Sequence, residues 1–107
     1  MKSDATAVGN WRHPGGKLRE LGADKLTDAE LLAIVIGTGI EGKSAEKIAE
    51  DVLNKFGSFR CICDQPFEKF HRIKGIKERK TIRIAAAFEI ARRVVNEVLK
   101  DYEPREK

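Results

Sequence analysis

A chain of 107 residues in which 36% are charged and 41% hydrophobic has room for one domain with a modest core, not for two of ordinary size. No apolar run approaches the length of a membrane span, and the opening MKSDATAVGNWRHPGG lacks the continuous apolar core of a secretory signal, which points to a cytoplasmic chain without a membrane partner. The net charge of +4 is unevenly spread: residues 24–51 carry seven acids against three lysines, whereas residues 71–93 carry eight Lys or Arg against Glu78 and Glu89, basic enough to meet a polyanion.

In chain order, residues 1–13 read as a loose tail, and helical punctuation begins after them. Glycines at Gly22, Gly37 and Gly57 stand where a left-handed cap would stop a helix. Thr27 and Glu30 have the spacing of a capping box, and Ser44 with Glu46 starts the next helix. From Ser44 to Phe56, Ala45, Ile48, Ala49, Val52 and Phe56 recur at three and four, the pattern of an amphipathic helix. Cys61 and Cys63 make a poor disulfide at C-x-C spacing, and His13 and His71 are badly placed to complete a zinc site, so both cysteines are expected to be small buried side chains in a reducing compartment. Pro66 suits a first helical position. The last helix is predicted from about Glu78 to Lys100, with Ile84, Phe88, Ala91, Val95 and Val98 on one stripe and Arg92, Arg93, Asn96 and Lys100 facing away. Residues 101–107 begin a linker or tail, closed by Pro104. No period-two strand occurs, so the expected fold is all-α, a bundle of about five helices over residues 14–100.

Within this helical pattern GTGIEGKS matches a phosphate loop, with Gly37, Gly42, Lys43 and Ser44 at the required spacing. Such a loop works only between a parallel strand and a helix, and the segment before Gly37 is capped as a helix by Thr27 and Glu30. No companion strand ending in Asp is present. The nucleotide-binding reading therefore stands as an alternative that predicts Mg²⁺-ATP binding lost in Lys43→Ala.

A shift of 36 residues superimposes Leu31 on Phe67, Ile34 on Phe70, Gly39-Ile40 on Gly75-Ile76, Ile48 on Ile84 and Val52 on Phe88. This pattern predicts two copies of a helix, a glycine turn and a second helix. The second copy, FHRIKGIKERKTIRIAAAFEIARR, resembles the helix-hairpin-helix motif, matched by Ile73, Gly75, Ile76 and Ile84. Gly75 permits the tight turn, Ile76 plugs it into the core, and the N–H groups that follow point at a phosphate. Lys74, Lys77, Arg79, Lys80 and Arg83 add counterion-releasing charge. Gly39, Lys43 and Ser44 make the corresponding weaker site in the first hairpin. Contacts of this kind touch the backbone and not base edges, and so predict DNA binding with little sequence preference.

The segments KLRELGADKLTDAELLA, IGTGIEGKS, KFGSFR, IKGI and EIARR follow one another in the order and spacing of the N-terminal domain of the RadC-like proteins, a resemblance running from Pro14 to Arg93. It implies a tandem helix-hairpin-helix domain that binds DNA without catalysis, metal or cofactor, and a link to DNA repair through the family's name. It also implies that GTGIEGKS is a habitual interhelical turn. Two positions depart from the family pattern: Lys77 replaces the second hairpin glycine, and Ile82 stands where a small residue is usual. Members normally continue into a JAB/MPN domain with a His-x-His and Asp metal signature, a partner that this chain would dock or regulate as an excised or truncated first domain. His13 and His71 lie 58 positions apart, so no metallopeptidase chemistry carries over. An interaction module using the acidic face of residues 24–51 is the alternative from another class.

Overall fold

Three hydroxyl side chains divide the chain into helices. Thr27 Oγ1 accepts the Glu30 N–H at 3.1 Å, Ser44 Oγ the Lys47 N–H at 3.0 Å and Ser58 Oγ the Cys61 N–H at 3.2 Å, each satisfying a donor that the first turn leaves open. In the computed structural model, which describes residues 13–102, the elements are α1 (Pro14–Leu21), a 3₁₀ turn (Ala23–Lys25), α2 (Asp28–Ile36), α3 (Ala45–Phe56), α4 (Phe59–Cys63), α5 (Phe67–Phe70) and α6 (Glu78–Asp101). The fold is all-α, and among the described residues the sole β-type pairing is an isolated bridge between Ile40 and Lys43. Glu30 returns a carboxylate oxygen to the Thr27 N–H at 2.9 Å, completing the expected capping box. Gly22, Gly37 and Gly57 stop α1, α2 and α3 with positive φ, as expected.

The core lies where α2, α3 and the first half of α6 meet. Leu32, Ala33 and Ile36 of α2 face Ile48, Ala49 and Val52 of α3, while Ile62, Phe70, Ile73, Ile76 and Ile84 close the cluster from the second half of the chain. Burying one such Leu, Ile or Phe side chain contributes about 1.5–3 kcal/mol, so these contacts and not helix propensity hold the short elements in place. Two tilted aromatic pairs tie the layers together, Phe56 with Phe70 at 5.0 Å and Phe59 with Phe88 at 5.5 Å between ring centroids. Among the described residues no helix is long and apolar enough to cross a membrane.

Several expectations need correction. Pro66 sits at the cap of α5, one position before the first helical place expected of it, while the six α-helices of the described residues, among them the short α4 that Ser58 starts, fit the expected bundle of about five. Cys61 and Cys63 are exposed, not buried. On a helix this short Ile62 takes the inward face, and its neighbours are rotated about 100° to either side. The stripe of the last helix is also only half used: Ile84 is buried and Phe88 half-buried, but Ala91, Val95 and Val98 are exposed. Helix α6 projects past the core, its residues from Ile90 onward exposed.

Of the expected repeat, helix, turn and helix occur in order at α2–α3 and at α5–α6, and Ile48 and Ile84 are both buried. The two turns differ. Ile76 is buried, whereas Ile40 sits beside a two-residue reversal at Glu41 and Gly42 and is exposed. Asp101 still belongs to α6, while residues 1–12 of the expected tail and 103–107 of the expected linker, with Pro104, lie outside the described residues.

Candidate nucleic-acid interface

The second turn is built on two constraints that glycine alone meets. Gly75 has φ +100°, and a Cβ there would stand 2.6 Å from Ile48 Cδ1 and 3.0 Å from its Cγ1. Backbone at Gly75 therefore rests on α3, and Ile76, 1% exposed, plugs into the core immediately after it. Both roles expected of these residues are met.

Beyond Ile76 the chain extends through Lys77, which takes the N-cap position of α6 with φ −123° and no side-chain capping hydrogen bond. The first intrahelical bond runs from the Thr81 N–H to the Lys77 carbonyl at 3.0 Å, leaving the N–H groups of Glu78, Arg79 and Lys80 without an intrahelical acceptor. Thr81, fully buried, also donates its hydroxyl to the Lys77 carbonyl at 2.9 Å and so fixes the start of the helix. Sequence reasoning missed Thr81. The usable signal was a hydroxyl four residues after the cap, in a run otherwise read for charge.

Two lysines brace the turn from either side. Lys80 Nζ donates to the Gly75 carbonyl at 3.1 Å, and Lys43 Nζ donates to the adjacent Lys74 carbonyl at 3.1 Å while pairing with Asp51 of α3. Lys43 thereby joins the first hairpin to the second. The Lys43 ammonium, followed by that of Lys47, holds the Asp51 carboxyl below its ordinary carboxylate value. Arg83 takes yet another position: a Cβ on Gly37 would lie 3.1 Å from its Nη1, so its charge sits at the C-terminal end of α2, where the helix dipole is negative.

The residues expected to meet DNA thus separate by role. Lys74, Lys77 and Arg79 are exposed and line a cleft of about 750 Å³ with Thr38 and Ile40 of the first turn and His71 of the second. Lys80 lines the same cleft but is tied to Gly75, Gly75 and Ile76 are structural, and Arg83 stands outside the cleft lining. Glu78 also lines it, placing one carboxylate at the helix start. That acid complements the dipole itself and opposes an incoming anion.

In the first hairpin Gly39, Lys43 and Ser44 serve the fold. A Cβ on Gly39 would run into the Lys43 carbonyl, Ser44 caps α3, and the segment before Gly37 is helix α2, so the strand that a phosphate loop requires is absent there. The acidic stretch is partly neutralised as well. Lys17 pairs with Glu30 at 3.1 Å, and Asp51 pairs with Lys43 and Lys47. The Thr27 N–H, followed by Lys17, holds the Glu30 carboxyl below its ordinary value.

The family model described as UPF0758 N-terminal matches residues 8–82. A UPF0758 protein of Nitrosomonas eutropha is 40% identical over 97 residues, covering 88% of this chain and 43% of that protein. Similar proteins of the same description occur in Xanthomonas campestris pv. campestris, 37% identical over 89 residues (80% of this chain, 40% of the relative), and in Xanthomonas euvesicatoria pv. vesicatoria, 40% identical over 80 residues (75% and 36%). The chain spans about two fifths of the length of these curated relatives. No solved structure matches it.

Proposed function

From the premise that the chain belongs to the UPF0758 N-terminal family, we propose that it is a non-catalytic DNA-binding module that docks on the phosphate backbone with little sequence preference. The observation that carries this reading is the start of α6. Backbone donors left uncapped at a helix N-terminus are set by a glycine turn beside the exposed cations Lys74, Lys77 and Arg79. The arrangement fits a helix-hairpin-helix hand, with the first turn supplying Thr38 and Ile40 to the same cleft. Because the three cations can reach phosphates and no side chain in the cleft is fixed to read a base edge, sequence discrimination is expected to be weak.

Two further parts of the proposal rest on the RadC-like resemblance. The remaining length of the relatives would carry a JAB/MPN domain, and this module would deliver that domain to DNA or regulate it there. Acting on DNA repair would place both in the cytoplasm. An interaction module on the acidic face is the weaker reading, since Glu30 and Asp51 already have partners within the chain.

The test is fluorescence anisotropy of a labelled duplex of arbitrary sequence against the protein across a salt series. Dissociation constants in the range of about 10⁻⁴ to 10⁻⁶ M, with log affinity falling against log salt at a slope near −0.9 for each phosphate contacted, support the proposal. Absence of binding at roughly millimolar protein and low salt overturns it.

A further inference from the structure

The cleft shared by the two turns is larger than a phosphate needs. Its volume of about 750 Å³ falls in the range of pockets that enclose an organic molecule, whereas a phosphate can dock on an open surface of N–H groups and cations. Three isoleucines line it: Ile73 and Ile76 are buried, but Ile40 is 38% exposed. A Cβ on Gly75 would stand 3.7 Å from Ile40 Cδ1, so an apolar side chain of the first turn is held against the second. His71, at the end of α5, adds an exposed imidazole with no hydrogen-bond partner among the described residues.

We propose that this cleft takes an unpaired nucleobase, with phosphates of the same strand on Lys74, Lys77 and Arg79, so that single-stranded DNA binds more tightly than a duplex. The proposal rests on the DNA reading above and narrows it to DNA with an unpaired segment. Charge complementarity favours this occupant. Lys74, Lys77, Arg79 and Lys80 line the cleft against one acid, Glu78, which suits an uncharged heterocycle flanked by phosphates.

In a duplex the base faces are stacked on one another, and only phosphate, sugar and base edges reach a protein. A single strand can splay a base out and lay its face on apolar or aromatic side chains, an imidazole among them. Ile40 and His71 supply such surfaces, one from each turn. Packing on a base face tolerates any sequence, in keeping with weak sequence discrimination. Electrostatic attraction alone gives the opposite order, since a duplex has the higher charge density and releases more counterions for each phosphate neutralised. A preference for the single strand therefore reports base contact and not charge.

Fluorescence anisotropy at one salt concentration tests it with three labelled probes of about 12 nucleotides: oligo(dT), its duplex with oligo(dA), and a strand of the same phosphates whose sugars are abasic. Oligo(dT) is expected to bind at least about fivefold more tightly than either of the others. His71→Ala, at an exposed position, should lower the ratio of single-strand to duplex affinity by about threefold or more, and Ile40→Ala should act in the same direction. The abasic strand gives its answer on the wild-type protein, whether or not Ile40→Ala folds. Oligo(dT) bound no more tightly than the abasic strand or the duplex overturns the proposal, and where the duplex still binds with the expected salt slope the phosphate-docking reading survives it. A ratio unchanged in His71→Ala and Ile40→Ala alike also overturns it, because the base then lies elsewhere. Failure of all three probes to bind overturns both readings.

Discussion

Gly75 rests its backbone on the end of Ile48, so closely that a Cβ on Gly75 would stand 2.6 Å from Ile48 Cδ1. Through this contact the second hairpin is seated on a helix of the first. The turn, the buried Ile76 and the start of α6 are positioned by α3, and the cation cleft inherits its shape from a core contact far away in sequence.

Replacing Gly75 by alanine therefore meets two costs, positive φ and overpacking against Ile48, expected to total about 2–4 kcal/mol. Gly42→Ala provides the control, since its φ is +82° and a Cβ there meets open space. It should cost about 1–2 kcal/mol. Thermal melts of both variants measure the difference, with Gly75→Ala melting at the lower temperature.

Lys43 and Lys77 are both lysines in hairpin turns, but only Lys43 is fixed to partners. Removing it in Lys43→Ala leaves Asp51 without its nearest cation and the Lys74 carbonyl without a donor, and should lower stability by about 1–2 kcal/mol. Lys77→Ala should leave stability nearly unchanged and reduce the slope of log affinity against log salt by about 0.9. Paired denaturant melts and salt-dependent anisotropy distinguish the two roles, and a Lys43→Ala protein with wild-type stability would contradict the bracing role.

Glu78 places a carboxylate where a phosphate is expected to dock. Neutralising it in Glu78→Gln should raise affinity for duplex DNA by about two- to fivefold at low salt, an effect that fades as screening increases. Equal affinity of both proteins at low salt would mean that the phosphate docks elsewhere.

The Asp51 carboxyl is held below its ordinary value, so the folded state binds its proton less readily than the unfolded state does. Its contribution to stability is present above the unfolded carboxylate value of about 3.9 and is lost as pH falls through the lower folded value. Melting temperatures between neutral pH and roughly pH 3 should fall less steeply in Asp51→Asn than in the wild type, because other carboxylates remain but this one no longer titrates.

The helical fold was legible because its signals are local. The Thr27 and Glu30 box, the Ser44 cap, the glycine stops and the spacing of Ile48, Ala49 and Val52 each act within a few residues of themselves. The hairpin glycine and Ile76 were legible as well, since a tight turn followed by a buried plug needs those residue types. What stayed hidden depends on contacts between distant segments. Lys43 looked like a phosphate ligand because its partners, Asp51 and the Lys74 carbonyl, come from a neighbouring helix and the other turn. The same holds for Arg83, drawn to the end of α2, and for Cys61 and Cys63, whose exposure follows from α4 being too short to bury two faces. Periodicity gave the stripe of α6 correctly, yet it does not report where the core stops, so Val95 and Val98 were read as packed.

The central claim is that the start of α6 docks a phosphate backbone, and amide NMR of the labelled protein titrated with a short duplex at two salt concentrations tests it most directly. Salt-sensitive shifts centred on Lys74 to Lys80 are expected, with the Glu78, Arg79 and Lys80 amides moving most and the distal α6 amides from Ile90 onward moving little. Shifts confined to the first hairpin, or none at protein and DNA concentrations near a millimolar, would contradict it.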